Sequence, residues 1–283
     1  IQPASGDAGG ALGVALAIWN KIYNTAPRYG RSDERNKTYN NQSTPTGVRL
    51  PAERINDVYW GTEYSDEKIE AFLKKEELPY EKLEEYQLID TVSSLLEGEY
   101  VIGWFQGCME FGPRALGNRS IIADARNKEN WQKVNLKIKF RESFRPFAPT
   151  VLEENVSEYF DLDRESPYML LVADVKPDKR EMIPAVTHVD GSARIQTISE
   201  KQNPKYYNLI KAFREKTGCA VIINTSFNVR GEPIVESPQD ALNCFLNTHM
   251  DYLVMGNILM KKSDMPANRV LQSDDYLDKF ELD

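Results

Sequence analysis

Apolar residues recur at helical spacing in six stretches of the chain, and these stretches predict six helices. One near the start, ALGVALAIWNKIYN, carries Leu12, Leu16 and Ile22 on or near its apolar face. In a second, SDEKIEAFLKK, Ser65 is the expected N-cap, and a third over about residues 87–97 ends at Gly98. The other three are NKENWQKVNLKI, YYNLIKAFREKTG and PQDALNCFLN.

Eight shorter runs, most of them rich in β-branched and aromatic residues, predict strands. In chain order they are YVIGWF, SIIA, FAPTVL, YMLLVAD, ARIQTI, CAVIIN, YLVM and NILMK. Helices fall between several of these runs, but strands and helices do not alternate strictly. The pattern therefore predicts an α/β or α+β domain with a mixed sheet and flanking helices.

A polar stretch over residues 27–51 separates the first predicted helix from the rest and has the composition of a long loop or linker. We expect a domain boundary there. Residues 1–55 would then be the end of one domain and its linker, and residues 56–265 a second domain. The chain closes on SDDYLDKFELD, so residues 266–283 are expected to form an acidic tail.

Composition narrows the class of protein. The 283 residues are 41% hydrophobic, which is enough for a packed core, and no apolar run approaches the roughly 18 residues that span a bilayer. The start lacks the basic segment of a secretory signal, so we expect a cytoplasmic location and no membrane partner. Three cysteines without CxxC spacing suggest neither a disulfide framework nor a zinc site.

Charge is distributed unevenly along the chain. The net charge of −8 argues against broad nucleic-acid binding, which needs a basic surface. Residues 106–150, however, hold nine basic side chains against four acidic ones, whereas residues 60–98 hold eleven acidic against four basic. A small basic region in an acidic protein fits a phosphate-bearing small molecule, although a solvated charged face would give the same pattern.

Five candidate cationic side chains of this basic region lie in two motifs. GWFQGCMEFGPRALGNRS places Arg114 and Arg119 in a Gly-rich stretch that can bring N–H groups and guanidinium forks to one anion. The alternative is a structural loop whose glycines only permit tight turns. KIKFRESFRPFAP then sets Lys139, Arg141 and Arg145 on one face of an extended segment. These three repel one another unless an anion lies between them, and an exposed basic strand is the alternative.

Two more polar clusters lie downstream. In THVDGSARIQT, His188 beside Asp190 is most simply a hydrogen-bonded structural pair in an Asp-Gly turn, whereas Arg194 leads into a strand and is the better ligand candidate.

In IINTSFNVRGEPIVESP, Asn224, Ser226, Asn228 and Arg230 follow a buried strand at its carboxyl end, where open α/β sheets commonly bind ligands. An ordinary polar turn is the alternative. Near the start, PASGDAGGALG sets Asp7 before a helix, as a helix cap or as a metal ligand.

Taken together, these stretches resemble the O-carbamoyltransferase family that decorates Nod factors and antibiotics, over nearly the whole chain. The matching segments are QPASGDAGGALG, MEFGPRALGNRSIIAD, KFRESFRPFAP, HVDGSARIQT and NTSFNVRGEPIVESP. One departure is Cys108, where the family usually has a basic residue. The resemblance implies the end of an actin/hexokinase-like domain over residues 1–55, followed by a YrdC-like domain with a mixed twisted sheet.

The resemblance also implies a function. The YrdC-like domain of this family cleaves carbamoyl phosphate and uses ATP with Mg²⁺ to form carbamoyl-adenylate. The other domain, most of which would lie upstream of this chain, transfers the carbamoyl group to the hydroxyl of a small-molecule or sugar acceptor with bound Fe²⁺. A homodimer is left open, and nucleic acid is not an expected partner.

Each matching position carries an implied role. The expected catalytic residues are Lys139, Arg141, Arg145, Arg194 and Ser226. The expected substrate-binding residues are Arg114, Arg119, His188, Asn224, Asn228 and Arg230. Asp7 matches an acidic ligand of the metal, whose histidine partners would also lie upstream.

Two alternative functions share part of the pattern. Lys139-Phe140-Arg141 and Ser226-Phe227-Asn228 match the KxR and SxN signatures of threonylcarbamoyl-adenylate synthases, which use threonine and bicarbonate. A non-catalytic YrdC-like RNA-binding module is the other alternative, and the overall acidity of the chain disfavours it.

Overall fold

The computed structural model of the chain describes residues 10, 14, 58–129, 134–135, 147–229 and 231–270. Most of them belong to one compact unit, which takes in Tyr59–Glu110 and the described residues from Arg114 onward. Phe111–Pro113 group with Ile1–Val58 in a second unit. The predicted domain limits at residues 55 and 265 stay predictions.

Nine strands form one sheet in the larger unit. They are β1 (Glu81–Lys82), β2 (Ile102–Phe105), β3 (Arg119–Asp124), β4 (Ala148–Leu152), β5 (Leu171–Asp174), β6 (Ser192–Ile198), β7 (Val221–Ser226), β8 (Tyr252–Met255) and β9 (Ile258–Lys261). The order across the sheet is β1-β9-β8-β2-β3-β7-β4-β6-β5. Strands β2 and β8 are parallel, as are β4 and β6, and the other neighbours are antiparallel. The predicted fold class, a mixed twisted sheet with flanking helices, is confirmed.

Five α-helices have both ends among the described residues, and Lys128, Glu129 and Val134 are helical as well. The five helices are α1 (Asp66–Lys75), α2 (Glu85–Glu97), α3 (Val156–Tyr159), α4 (Pro204–Thr217) and α5 (Pro238–Leu246). Three helix ends lie where the sequence predicts them: Ser65 caps α1, Gly218 ends α4 with φ of 75°, and Ser237 caps α5 ahead of Pro238. Within the described chain, no helix is both long and apolar enough to cross a bilayer.

The structure departs from the sequence prediction in several elements, among them the four-residue helix α3, which is not predicted. Strand β1 is not predicted, because it is a two-residue polar pair on the edge of the sheet. Strand β5 begins at Leu171 instead of Tyr168, since Met169 has a φ of 54° and interrupts the extended backbone. Helix α2 begins at Glu85, where the Gln87 carboxamide accepts the Glu84 N–H at 3.2 Å.

The core is formed where helices cover the sheet. Helices α2 and α4 pack against each other and against β3, β4 and β7, whereas α5 packs on β2 and β8. Trp104, Phe213, Phe227 and Phe245 are completely buried. Packing is tight enough that a Cβ on Gly103 would approach the Phe227 ring to 2.6 Å. The central strands are therefore rigidly held, and the side chains at the ends of these strands have fixed positions.

Candidate functional site

The central strands β2, β3, β7, β4 and β6 pair so that the ends next to predicted site residues lie at one side of the sheet. Phe105 at the end of β2 pairs with Arg119 at the start of β3, and Ser226 at the end of β7 pairs with Ser120. Strands β4 and β6 run antiparallel to β7, so both begin at this same side. The segments before β3, before β4 and before β6, and the one after β7, each contain predicted site residues.

The segments that carry Arg114 and Arg194 meet at this side although they lie far apart in sequence, because Gln196, two residues after Arg194, donates to the carbonyl of Leu116, two residues after Arg114. The side chain of Arg194 is exposed, yet partial burial of its guanidinium and, secondarily, the positive charge of Arg114 lower its pKa. Its Nη2 contacts the Met169 sulfur at 3.8 Å. The Nε of Arg114 is buried and has no hydrogen-bond partner among the described residues. Two neighbouring cations of this kind form a surface suited to an anion.

A buried polar network lies beneath this pair. The Gln196 Nε2 donates to the Leu116 carbonyl at 2.9 Å, and Asn224 Nδ2 donates to the Ala115 carbonyl at 3.2 Å. The Gln196 Oε1 accepts from Asn224 Nδ2 and from the Thr150 hydroxyl, both at 2.7 Å. The Tyr206 hydroxyl donates to Thr150 Oγ1 at 3.2 Å. Strands β4, β6 and β7 and helix α4 thus hold the residues that follow Arg114.

Glu110 holds the same segment from another direction. Its Oε1 accepts the backbone N–H groups of Leu116, Asn118 and Arg119, at 2.7, 2.7 and 3.2 Å. Its Oε2 is buried without a hydrogen-bond partner among the described residues. Burial raises the pKa of this carboxyl, although the backbone hydrogen bonds and the Arg119 charge oppose the shift. Glu110 therefore folds the 114–119 segment around a single carboxylate oxygen.

Arg119 is completely buried, and its guanidinium contacts backbone carbonyls. Nη1 donates to the Gln106 carbonyl and to the Asn118 carbonyl at 3.2 Å. Nη2 donates to the carbonyls of Thr62 and Gly107 at 2.9 and 3.1 Å. The group also stacks 3.7 Å from the centroid of the Phe105 ring, and burial lowers its pKa to about 10. These contacts give Arg119 a structural role, and its expected contact with substrate stays an unsupported prediction.

The predicted residues of β7 divide between the network and the site. Asn224 is 1% exposed, and its Nδ2 donates twice within the network, whereas its Oδ1 has no hydrogen-bond partner among the described residues. Ser226 lies two positions farther along the same face, at the edge where the strand ends. Its hydroxyl donates to Asn228 Oδ1 at 2.8 Å, and Asn228 Nδ2 donates to the Glu232 carbonyl at 2.6 Å. Ser226 and Asn228 are both only partly buried, so both lie at the surface of this edge.

His188 lies in the turn before β6. Its Nδ1 is 3.0 Å from Asp190 Oδ1, which also accepts from the Ser192 N–H and hydroxyl at 2.9 and 2.6 Å. The hydrogen bonds from Ser192, and then that from His188, lower the pKa of Asp190 to about 2. This is the structural pairing that the sequence favours for His188 and Asp190. The expected substrate contact of His188 remains a prediction.

Five of the predicted site residues lie outside the described residues: Asp7, Lys139, Arg141, Arg145 and Arg230. Their roles stay predictions. Four residues that hold the site together have no role assigned from the sequence: Glu110, Thr150, Gln196 and Tyr206. Gln196 nevertheless belongs to the THVDGSARIQT cluster. An uncharged polar residue in the middle of a strand, such as Gln196 in ARIQTI, must find hydrogen-bond partners when it is buried, and this is a signal for one of these four residues.

Family comparison matches the part of the chain that carries this site. The sequence profile described as Carbamoyltransferase C-terminus matches residues 93–262. That interval contains Arg114, Arg194, Ser226 and the whole polar network.

Curated relatives extend the similarity to more of the chain. A Synechocystis protein described as uncharacterized protein sll1178 is 45% identical over 100% of this chain and 46% of its own length. Nodulation protein NolO of Bradyrhizobium diazoefficiens is 41% identical over 93% of this chain and 44% of its own length. The 3'-hydroxymethylcephem-O-carbamoyltransferase of Amycolatopsis lactamdurans is 37% identical over 62% of this chain and 33% of its own length. The chain spans less than half the length of these relatives.

Among solved structures, full-length HypF in its phosphate- and nucleotide-bound form matches with a TM-score of 0.45 and 19% identity. The match covers 60% of this chain and 25% of HypF. A likeness at this level transfers no residue role.

Proposed function

We propose, because the chain belongs to the Carbamoyltransferase C-terminus family, that it carries the ATP-dependent activation step of an O-carbamoyltransferase. Carbamoyl phosphate and ATP would be converted to carbamoyl-adenylate, which then supplies the carbamoyl group to a hydroxyl of a small-molecule or sugar acceptor. The observation that carries the proposal is the 2.9 Å hydrogen bond from Gln196 to the Leu116 carbonyl, which joins the segments of Arg194 and Arg114 within a buried network at the strand ends.

The reaction needs the kind of site that these residues form. Water first cleaves the mixed anhydride of carbamoyl phosphate to carbamate and inorganic phosphate. A carbamate oxygen then attacks the α-phosphorus of ATP, and pyrophosphate leaves. The protein must align two anions and stabilise the charge that develops between them. Arg114 and Arg194 would bind phosphate oxygens, and Ser226 with Asn228 would contact the carbamoyl or nucleotide part. Lys139, Arg141 and Arg145, which precede β4 in sequence, would complete the cationic set.

Two metal ions belong to the proposal in different ways. The described residues include no group of three or more His, Cys, Asp or Glu side chains that could hold a metal. Mg²⁺ would be held mainly by the ATP phosphates, whose charge it would reduce, because it is usually bound through substrate phosphates and water. Fe²⁺, with Asp7 as one ligand, would serve transfer of the carbamoyl group to the acceptor.

The test is an assay of pyrophosphate release by the 283-residue chain. We expect release with ATP and carbamoyl phosphate, but not with ATP, threonine and bicarbonate. Lys139→Ala should reduce the rate on the order of 100-fold, because it removes a charge that stabilises the transition state. Lys211→Ala, on the exposed face of α4, is the matched control. Release that depends on threonine, or no release at all, would contradict the proposal.

A further inference from the structure

The carboxamide of Gln196 links the two segments that carry Arg114 and Arg194. Gln196 lies two residues after Arg194 on β6, so the two side chains share one face of the strand. Its Nε2 donates to the carbonyl of Leu116, which lies two residues after Arg114. The Gln196 side chain therefore joins the position two residues after Arg194 to the position two residues after Arg114.

The orientation of this carboxamide is fixed by its surroundings. The carbonyls of Ala115 and Leu116 can only accept, so the amide nitrogens of Asn224 and Gln196 must point toward them. The Gln196 Oε1 is then left to accept from Asn224 and Thr150. A reversed carboxamide would set oxygen against the Leu116 carbonyl and nitrogen against Asn224 Nδ2. Gln196 is completely buried, so water does not replace these bonds.

We infer that Gln196 is a positioning residue for the proposed reaction: it sets the spacing between Arg114 and Arg194. The inference rests on the proposed function, since the spacing matters only if both cations meet the same substrate. Neighbouring cations repel, and a hydrogen bond between their supporting segments keeps them close before the anion arrives. Gln196 touches no substrate and acts through Arg114.

Two substitutions of Gln196 distinguish its hydrogen bond to the Leu116 carbonyl from its other hydrogen bonds in the network. Gln196→Glu keeps acceptors for Thr150 and Asn224 but, as the carboxylate, has no hydrogen for the Leu116 carbonyl. It is therefore assayed over a pH range that takes the new carboxyl from protonated to ionised, and the loss should grow as it ionises. Gln196→Met removes all three bonds without adding a charge, so agreement between the two variants excludes charge as the cause. The matched control is Thr197→Val on the opposite face of the same strand. Thr197 is also completely buried, and its Oγ1 accepts the Ser166 N–H at 2.8 Å.

The measurement is calorimetric binding of ATP and, separately, carbamoyl phosphate to the 283-residue chain. Each Gln196 variant should raise the Kd of at least one of these ligands by about 10-fold or more, because a displaced cation binds poorly. Thr197→Val should lower the unfolding temperature but change each Kd less than about 2-fold. In the Arg114→Ala background, the Gln196 substitutions should add little further loss, since the residue through which they act is absent.

Different outcomes contradict different parts of the argument. If Arg114→Ala weakens binding but both folded Gln196 variants bind normally, the inference fails and the proposed function stands. The inference also fails if Gln196 substitutions cost as much without Arg114 as with it. If neither ligand binds, or if Arg114→Ala binds both normally, the proposed function fails and the inference falls with it. Should Gln196→Met not fold, Gln196→Glu alone decides the question.

Discussion

Arg114 and Arg119 belong to one short motif, yet their guanidinium groups have opposite surroundings. Arg119 is completely buried and donates to four backbone carbonyls. Arg114 is only partly buried and has another arginine as its charged neighbour. The Nε atoms of both arginines are buried without a partner among the described residues, so the contrast lies in burial and in the four bonds of the Arg119 Nη atoms. Arg119 therefore uses its hydrogen bonds to hold the loop, whereas Arg114 remains able to bind an anion.

The difference shows how a rigid anion site is built from flexible side chains. A cation that awaits a ligand has to be held by groups that do not neutralise it. Glu110 folds the 114–119 segment through backbone N–H groups, and Arg119 fixes the surrounding carbonyls. The charges that shape the loop are thus paired with the backbone, so Arg114 keeps its charge for a substrate.

The largest expected effect is on stability, from Arg119→Ala. The substitution removes the guanidinium from four carbonyls, of which those of Thr62 and Asn118 keep a backbone N–H donor, and it takes the nearby positive charge from Glu110. Together these losses should cost about 3–5 kcal/mol of unfolding free energy. Urea denaturation measures it. Arg119→Lys should recover part of the loss, because an ammonium can serve up to three of the carbonyls. A loss below about 1 kcal/mol would remove the contrast between the two arginines.

Arg114→Ala is expected to give the opposite result. Pyrophosphate release should fall on the order of 100-fold, because a phosphate ligand is lost. Stability should change by less than about 1 kcal/mol, since Arg194 loses a repelling neighbour. Steady-state kinetics and urea denaturation of the same variant measure the two quantities. Arg114→Lys should retain more activity than Arg114→Ala, although it lacks the guanidinium fork. An unfolded Arg114→Ala protein would show that this arginine is structural as well.

Most of the fold is readable from the sequence, because local signals there agree with the tertiary structure. Ser65, Gly218 and Ser237 each mark a helix end through backbone hydrogen bonding or backbone conformation, which depends on few neighbours. The interruption at Met169 is not readable, since a positive φ at methionine is set by its tertiary surroundings.

The site is less predictable than the fold. The sequence identifies the arginines of the motif but does not distinguish their uses, because Arg119 acquires its acceptors from residues as distant as Thr62. Gln196 has no role assigned from the sequence for the same reason. Its partners Leu116, Thr150 and Asn224 come from three separate parts of the chain. Only the strand order brings them together.

Gly117→Ala tests how tightly the segment between the two arginines is held. Gly117 has a φ of 110°, and a Cβ would lie 2.4 Å from the Tyr206 ring. Backbone strain and this clash should together cost about 2 kcal/mol and also weaken ATP binding. Gly218→Ala is the matched control: its φ is 75°, but a Cβ there meets nothing within 4 Å. Equal losses for the two variants, measured by urea denaturation, would argue against a tight segment.

The smallest effect on stability is expected at the His188–Asp190 turn. Its polar groups hydrogen-bond to one another, so, like Arg119, they have a structural role. Hydrogen bonds from Ser192 lower the pKa of Asp190 from 3.8 to about 2. The stability gained from the charged carboxylate is therefore complete above about pH 4 and lost as the pH falls toward 2. Asp190→Asn should unfold at a lower temperature than the unmodified chain above pH 4, and the difference should shrink between pH 4 and pH 2. Thermal unfolding across that range measures it, with Ser192→Ala as a second variant that weakens the same interaction. A difference that does not vary with pH would show that the Asp190 charge contributes nothing to the turn.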